Sequence, residues 1–337
     1  MKSTKMSRLT IGAAALSSLA LALAGCQSGD SGGSGGGGGN YPSKPINVNA
    51  PAEPGSGWDT TARAMVQTLE EDGIVDVPLP VQNKPGGTGC SWLTEMINNH
   101  AGADDQIAIS SLANQTMNNR GLCEYGPDDA TMIATLYVEN FIVVAPQDGE
   151  ITDIDGLISA LESDPQAVPI AAAGDDRLPF ALLADAAGIA PADLNFVDYE
   201  GGGEQTTALL NGDAKVAIAG LSEFRATLES GDLAGVVSFA PEPLAAPFDS
   251  VPTAVDSGYD VTLANWRGVY GPADMPEEAV TYWEETLQEM VESPSWQETV
   301  EKNQWSPEFL TGEEMETYIS EADETVAEGV EKTEIGS

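Results

Sequence analysis

The groups in this chain that are equipped for chemistry gather in glycine turns. Pro54-Gly55-Ser56-Gly57-Trp58-Asp59 follows a short alternating run at residues 45–50 and leads into Ala62, Met65, Val66 and Leu69, which share one helical face. Asn83-Lys84-Pro85-Gly86-Gly87-Thr88-Gly89 repeats the arrangement after an extended run at 77–82. Ala173-Gly174-Asp175-Asp176-Arg177 and Glu200-Gly201-Gly202-Gly203-Glu204 do so again, and Ser110, Ser111 and Ser222 stand where apolar runs give way to polar turns. A strand, a glycine turn and a helix N-terminus together leave backbone N–H groups without acceptors, in the positive end of a helix dipole. Several such ends at the carboxyl edges of strands form an anion site. The expected chemistry is the capture of an anion.

Cations are scarce, which gives weight to those near the turns. Lys84 and Arg177 lie within them, and Arg267 sits in Asn265-Trp266-Arg267-Gly268. An arginine fork grips a carboxylate through two hydrogen bonds. For Arg177 and Arg267 two roles stand open, contact with a ligand or pairing with one of the many acids nearby; Lys84 is assigned to pairing. Asp59 falls in a first helical turn, where a carboxylate caps free N–H groups. Direct contact of Asp59 with an anion is repulsive unless the ligand also presents a hydroxyl or an ammonium, and Glu204 shares that ambiguity. Trp58 and Trp266 are candidates for cleft walls or for core.

Bond-making chemistry has little to work with. The single histidine, His100, ends a polar stretch, so no Ser-His-Asp or Cys-His site is credible. There is no G-x-S-x-G outside the Gly/Ser-rich segment and no His/Cys metal cluster. Pro85 to Ser91 resembles a phosphate-binding loop superficially, but Cys90 stands where that loop requires lysine. Neither cofactor nor metal is expected. A glycosidase-like pair of acids has no positive support, and a secreted hydrolase is carried only as the alternative, beside a ligand-sensing module for a membrane signalling protein.

The elements that must position these turns alternate along the chain, which predicts an α/β fold. Strands are expected at 45–50, 77–82, 106–110, 131–136, 140–145, 168–172, 194–198, 214–219 and 234–239. Helices are expected at 59–72, 89–99, 153–163, 177–187, 203–211, 222–230, 276–293, 295–303 and 312–328. Turn clusters near Ala145-Pro146 and from Pro241 to Gly258 suggest that the chain enters a second lobe and returns. Residues 41–146 plus 256–337 would form lobe 1 and 147–255 lobe 2, with the ligand cleft between them.

The N-terminal segment speaks to compartment. Lys2, Lys5 and Arg8 precede a short apolar run that ends in Leu23-Ala24-Gly25-Cys26. Residues 1–26 therefore read as a lipoprotein signal peptide and lipobox, with Cys26 as the lipidation site. Residues 27–40 are a Gly/Ser-rich tether with a reach of roughly 20 Å. The expected location is the outer face of the cytoplasmic membrane. With 54 acidic against 13 basic residues the formal net charge is −41. That balance argues against nucleic acid as a partner and fits a halophile, in which molar salt shortens the Debye length to roughly 3 Å. Cys90 and Cys123 are a natural disulfide pair in an exported chain, two free buried thiols being the alternative.

The same turns resemble a known family, the substrate-binding proteins of tripartite tricarboxylate transporters (the TctC or Bug type). The resemblance spans residues 41–319. It is carried by Tyr41-Pro42-Ser43-Lys44-Pro45-Ile46, the first glycine turn with Ala62-Arg63, the second through Gly89, Tyr199 to Glu204, Val251-Pro252-Thr253-Ala254 with Gly258-Tyr259, and Trp266-Arg267-Gly268. It implies a two-lobed, type II-like periplasmic-binding-protein fold and a monomer that delivers an organic di- or tricarboxylate, citrate among the candidates, to membrane permease subunits. It also implies one carboxylate held by residues 55–59 and 86–89 through backbone groups and water. Ser56 replaces a usual glycine, and Cys90 and Cys123 are not family hallmarks.

Overall fold

Period-2 apolar runs become strands and 3.6-period runs become helices through most of the chain. The structure, a computed structural model, describes residues 41–333 apart from 175, together with 335. The expected signal peptide, Cys26 and the tether lie outside the described residues. The first third comprises β1 (Asn47–Ala50), α1 (Gly57–Glu71), β2 (Val81–Asn83), α2 (Cys90–Asn99), β3 (Gln106–Ser111) and α3 (Leu112–Asn119). Then come β4 (Thr131–Pro146), α4 (Ile154–Ser163), β5 (Pro169–Ala172), α5 (Arg177–Ala186), β6 (Asn195–Asp198) and α6 (Gly202–Asn211). The chain continues through β7 (Val216–Gly220), α7 (Leu221–Ser230), β8 (Leu233–Ser238) and β9 (Ala264–Gly271). It closes with α8 (Glu277–Glu292), α9 (Pro294–Asn303), β10 (Ser306–Pro307) and α10 (Gly312–Thr333).

One mixed α/β sheet carries the strands in the order β2-β1-β3-β9-β4-β7-β5-β6, with β8 and β10 also pairing β4. At one end β1 runs parallel to β2 and β3, and at the other β5 runs parallel to β6 and β7. These parallel strands are joined by helical crossovers, as such strands require. Between the two ends lie β9 and β4, antiparallel to their neighbours, with Thr135 opposite Gly268 and Tyr137 opposite Arg267. Each parallel end has its own apolar core. Ile46, Val48, Met65, Leu69 and Trp283 are sealed in one, and Phe141, Leu157, Ile170, Phe180 and Ile218 in the other. Each such side chain contributes on the order of 1.5–3 kcal/mol through removal from water.

Three departures from expectation matter for the site. The strands expected at 131–136 and 140–145 are one strand, β4, which runs straight through Tyr137, Val138 and Glu139. The expected gap fell at residues 137–139; in the fold Glu139 is fully buried and satisfied by groups of other elements. Second, α3 was not expected, because LANQTMNN shows no apolar periodicity. Its Leu112, Ala113 and Met117 are buried, and polar contacts fix it further: Ser111 caps it by accepting from the Ala113 N–H, and Gln115 donates from Nε2 to the Ile319 carbonyl at 2.6 Å. Third, β9 was absent from the expected strands and proves to be the bridge between β3 and β4.

Helix α10, expected within lobe 1, packs on both α3 and α5. Its Met315, Ile319 and Val326 enter the same core as Leu178 and Phe180. Cys90 and Cys123 are joined by a disulfide, with Cα atoms 5.4 Å apart, which ties the start of α2 to the segment after α3.

Candidate functional site

The first glycine turn is built from its own side chains. Ser56 is the N-cap of α1 and accepts from the Asp59 N–H at 3.3 Å. Gly55, at φ 87°, donates its N–H to Asp59 Oδ2 at 2.9 Å. Asp59 is nearly sealed from solvent and also accepts from Arg63 and from Asn83 Nδ2 at 2.9 Å. Burial works against ionisation of Asp59, but the Arg63, Gly55 and Asn83 donors outweigh it and hold the carboxyl below its usual value. Asp59 is thus a cap, and it occupies the Gly55 N–H that was expected to meet a ligand. Helix geometry still leaves the N–H groups of Gly57 and Trp58 without acceptors inside α1.

Those two residues line a cavity. Ser56, Ala52, Thr88 and Ala113 also face it from this side, and Ala173, Asp176, Glu200, Gly201 and Glu223 from the other, with Arg267 completing the wall. Glycines allow the walls to meet: a Cβ at Gly57 would lie 2.6 Å from Arg267 Nη2 and 3.1 Å from Glu223 Oε1. At Gly89, where φ is 84°, a Cβ would strike the Trp58 ring at 2.5 Å. Trp58 in turn donates from Nε1 to Ser111 Oγ at 3.0 Å, which fixes the indole as a wall.

The second turn contributes less directly than expected. Only Thr88 of Gly86, Gly87, Thr88 and Gly89 lines the cavity; the glycines shape the loop, with φ of 142°, 57° and 84°. Gly174 lies against this loop, where a Cβ would fall 2.9 Å from Thr88 Oγ1, and its carbonyl accepts from Arg120 at 2.6 Å. Ser110 and Ser111 are buried supports, Ser110 donating to Asn114 Oδ1 at 2.9 Å. Gly203 and Glu204 border a neighbouring hollow, and Glu204 accepts from the Glu200 N–H at 3.1 Å as a cap.

The two arginines separate. Arg177 is not among the cavity-lining residues; it pairs with Asp198 and lies over the Phe196 ring at 5.1 Å. For it the acid-pairing role is the one observed. Arg267 does reach the cavity, 4% exposed, and donates to Glu139 Oε2 at 3.1 Å and to Asn265 Oδ1 at 3.2 Å. Ser222 does not line the cavity; its N–H, at 3.0 Å, and its hydroxyl donate to the other oxygen of Glu139. Lys84 sits over Trp92 at 4.7 Å. The acids were the residues that sequence reasoning missed. Glu139 had a signal, a carboxylate inside an apolar run, whereas Glu223 reads as an ordinary polar helix residue.

Glu223 Oε2 accepts from the Gly202 N–H at 2.8 Å, and Asp176 Oδ2 accepts from the Ala173 N–H at 3.1 Å and from Gln205 Nε2 at 3.3 Å. Burial, then the neighbouring charges of Glu204, Glu53 and Asp198, push the Glu200 carboxyl above its usual value.

Strand-to-helix turns from both ends of one mixed sheet thus wall a single cavity, and the fold is similar to those of periplasmic binding proteins. The sequence profile of the tripartite tricarboxylate transporter family receptor matches residues 63–333, and the chain belongs to that family. It is similar to Protein BugT of Bordetella pertussis (strain Tohama I), 23% identical over 289 residues that cover 83% of this chain and 86% of BugT. Its fold is similar to MatC of Rhodopseudomonas palustris with bound malate, at a TM-score of 0.73 and 19% identity, covering 88% of this chain and 100% of that one. It is also similar to a Rhodopseudomonas palustris protein with adipate, at a TM-score of 0.78 and 18% identity, covering 87% and 98%. The chain is a solute-binding receptor of the TctC/Bug family, a class of extracytoplasmic binding proteins.

Proposed function

We propose that this receptor captures a small organic di- or tricarboxylate and hands it to the membrane subunits of a tripartite tricarboxylate transporter. The observation that carries the reading is the N-terminus of α1, where Gly57 and Trp58 face a cavity walled by turns from both ends of the sheet. One ligand carboxylate accepts from these N–H groups, as malate- and adipate-bound relatives make chemically reasonable. Residues 41–146 with 256–337 and residues 147–255 act as the two lobes that close on it. A lipid on Cys26 holds the monomer at the outer face of the cytoplasmic membrane, and the acidic surface suits high salt.

Calorimetry on the full folded chain in molar KCl, against a panel of carboxylates and neutral sugars, tests the binding. Carboxylates should bind and sugars should not. Sugar binding alone overturns the reading. Mass spectrometry of the membrane fraction should find a diacylglyceryl group on Cys26, and a soluble product beginning elsewhere removes the anchor.

A further inference from the structure

The peptide unit between Gly57 and Trp58 has two ends in different surroundings. Its N–H belongs to Trp58 and has no acceptor inside α1. Its carbonyl belongs to Gly57 and accepts from the Thr61 hydroxyl at 2.7 Å. Thr61 Oγ1 also lies 2.7 Å from the Tyr137 hydroxyl, and both side chains are fully buried. Tyr137 in turn is hydrogen-bonded to Arg267, which stands opposite it in the pairing of β4 with β9.

Elementary chemistry fixes who donates in this row. A guanidinium only donates, a carbonyl only accepts, and each hydroxyl has one hydrogen. The Thr61 hydrogen is committed to the Gly57 carbonyl, so Tyr137 must donate the bond between the two hydroxyls. The Tyr137 oxygen is then an acceptor for Arg267. Every hydrogen points the same way, from the cation on β9 toward α1. Glu139 bonds the same guanidinium through Nη2, but the group that touches Tyr137 is the cation. The Tyr137 ring is held in place by stacking on Trp305, with centroids 3.9 Å apart.

A threonine that bonds the carbonyl four residues back is ordinary in a helix. What differs here is the charge at the far end. Hydrogen bonds in series polarise one another, the more so in a buried, low-dielectric setting. A carbonyl pulled toward a hydroxyl draws electron density from its own amide nitrogen, and the N–H on that nitrogen becomes a stronger donor. Resting on the receptor reading above, in which the Trp58 N–H meets a ligand carboxylate, we infer that Thr61 and Tyr137 are positioning residues that strengthen this donor by carrying the Arg267 charge to the other end of its peptide unit. Neither side chain touches the ligand.

The test follows the Trp58 amide proton by NMR on the ligand-free full chain in molar KCl. Calorimetry on the same proteins uses L-malate, succinate, adipate and citrate as probes. Tyr137→Phe keeps the stacked ring and removes the hydroxyl; Thr61→Val keeps the shape and removes the hydroxyl; Thr61→Ser keeps the hydroxyl. The Phe and Val variants should each move the Trp58 amide proton upfield and weaken carboxylate binding by roughly three- to tenfold, the range of one ordinary hydrogen bond. The double variant should lose no more than Thr61→Val alone, because the row is already cut at α1. Thr61→Ser should keep the wild-type shift and affinity. A Trp58 amide that does not move in Tyr137→Phe overturns the inference, even if binding weakens, since the loss is then one of packing. An effect of Thr61→Ser as large as that of Thr61→Val overturns it in the same way. Wild type that binds none of the four probes overturns the receptor reading instead, and the ligand-free amide shifts still decide whether the row polarises that peptide.

Discussion

Removing the Arg267 charge should destabilise the fold far more than its position at a cavity wall suggests. Glu139 is fully buried in the centre of the sheet, and Arg267 Nη2 lies 3.1 Å from its Oε2. At an effective dielectric of about 20, two unit charges at that distance attract by about 5 kcal/mol. Arg267→Met leaves the Glu139 carboxylate with the N–H and hydroxyl of Ser222 as its remaining observed donors. Breaking a buried pair from one side typically costs about 3–5 kcal/mol, since a desolvated charge stays behind. Glu139→Gln alone should cost a similar amount by removing the buried counter-charge of the guanidinium. The double variant removes both charges and should be destabilised by less than the two single costs combined, with a coupling energy of about 2 kcal/mol or more. Urea unfolding in molar KCl measures all four proteins, with the m-value checked for constancy. Single variants that each lose under about 1 kcal/mol, or costs that add to within about 0.5 kcal/mol, would refute the ion pair as an energetic unit.

Three further outcomes are expected. Gly57→Ala places a methyl 2.6 Å from Arg267 Nη2, the atom that pairs with Glu139, and should weaken ligand binding by roughly tenfold or more while also lowering thermal stability; unchanged affinity in calorimetry would move the ligand elsewhere. Asp59 has a folded pKa below its unfolded value of about 3.9, so its contribution is complete above that value and is lost as pH falls through the lower folded pKa. Wild type should therefore exceed Asp59→Asn in stability at neutral pH, and the gap should close on acidification; a gap independent of pH in urea titrations removes the charge from the explanation. The Cys90–Cys123 bridge spans a sequence separation of 33, worth about 3–4 kcal/mol in the chain-entropy account, so reduction should lower the unfolding midpoint clearly. Identical melting with and without reductant would show that the bridge contributes nothing.

The legible parts of this fold were those where periodicity and turn chemistry agree. Helix α1 could be read from Asp59 and the Ala62–Met65–Val66–Leu69 face, whereas its N-cap, Ser56, had been expected to meet the ligand. Tertiary contacts decided the rest. A glutamate in an apolar run reads as a strand break unless its partner is known, and Arg267 arrives from another element entirely. Helix α3 is specified by a cap and by bonds to α10, so no local pattern announces it. For the site, the structure brings Gly57, Thr88 and Gly201 of three of the glycine turns to one cavity. The turns did not indicate which donors were occupied within the loops, as the Gly55 N–H is by Asp59.

The position of β9 also bears on how the molecule is made. Strands β3 and β4 are successive in the sequence but do not pair with each other; β9 slots between them, joining Ala108 to Tyr270 and Thr131 to Gly271 in register. A chain emerging from a translocation pore therefore holds two facing strand edges open until Ala264–Gly271 follows. Such edges invite pairing with other chains, and contacts this distant in sequence form slowly. Arg267 arrives on the same strand, so the Glu139 carboxylate gains its counter-charge at the moment the sheet closes. Until then Glu139 is better solvated than buried, which holds the unfinished centre of the sheet open to water and to the late strand.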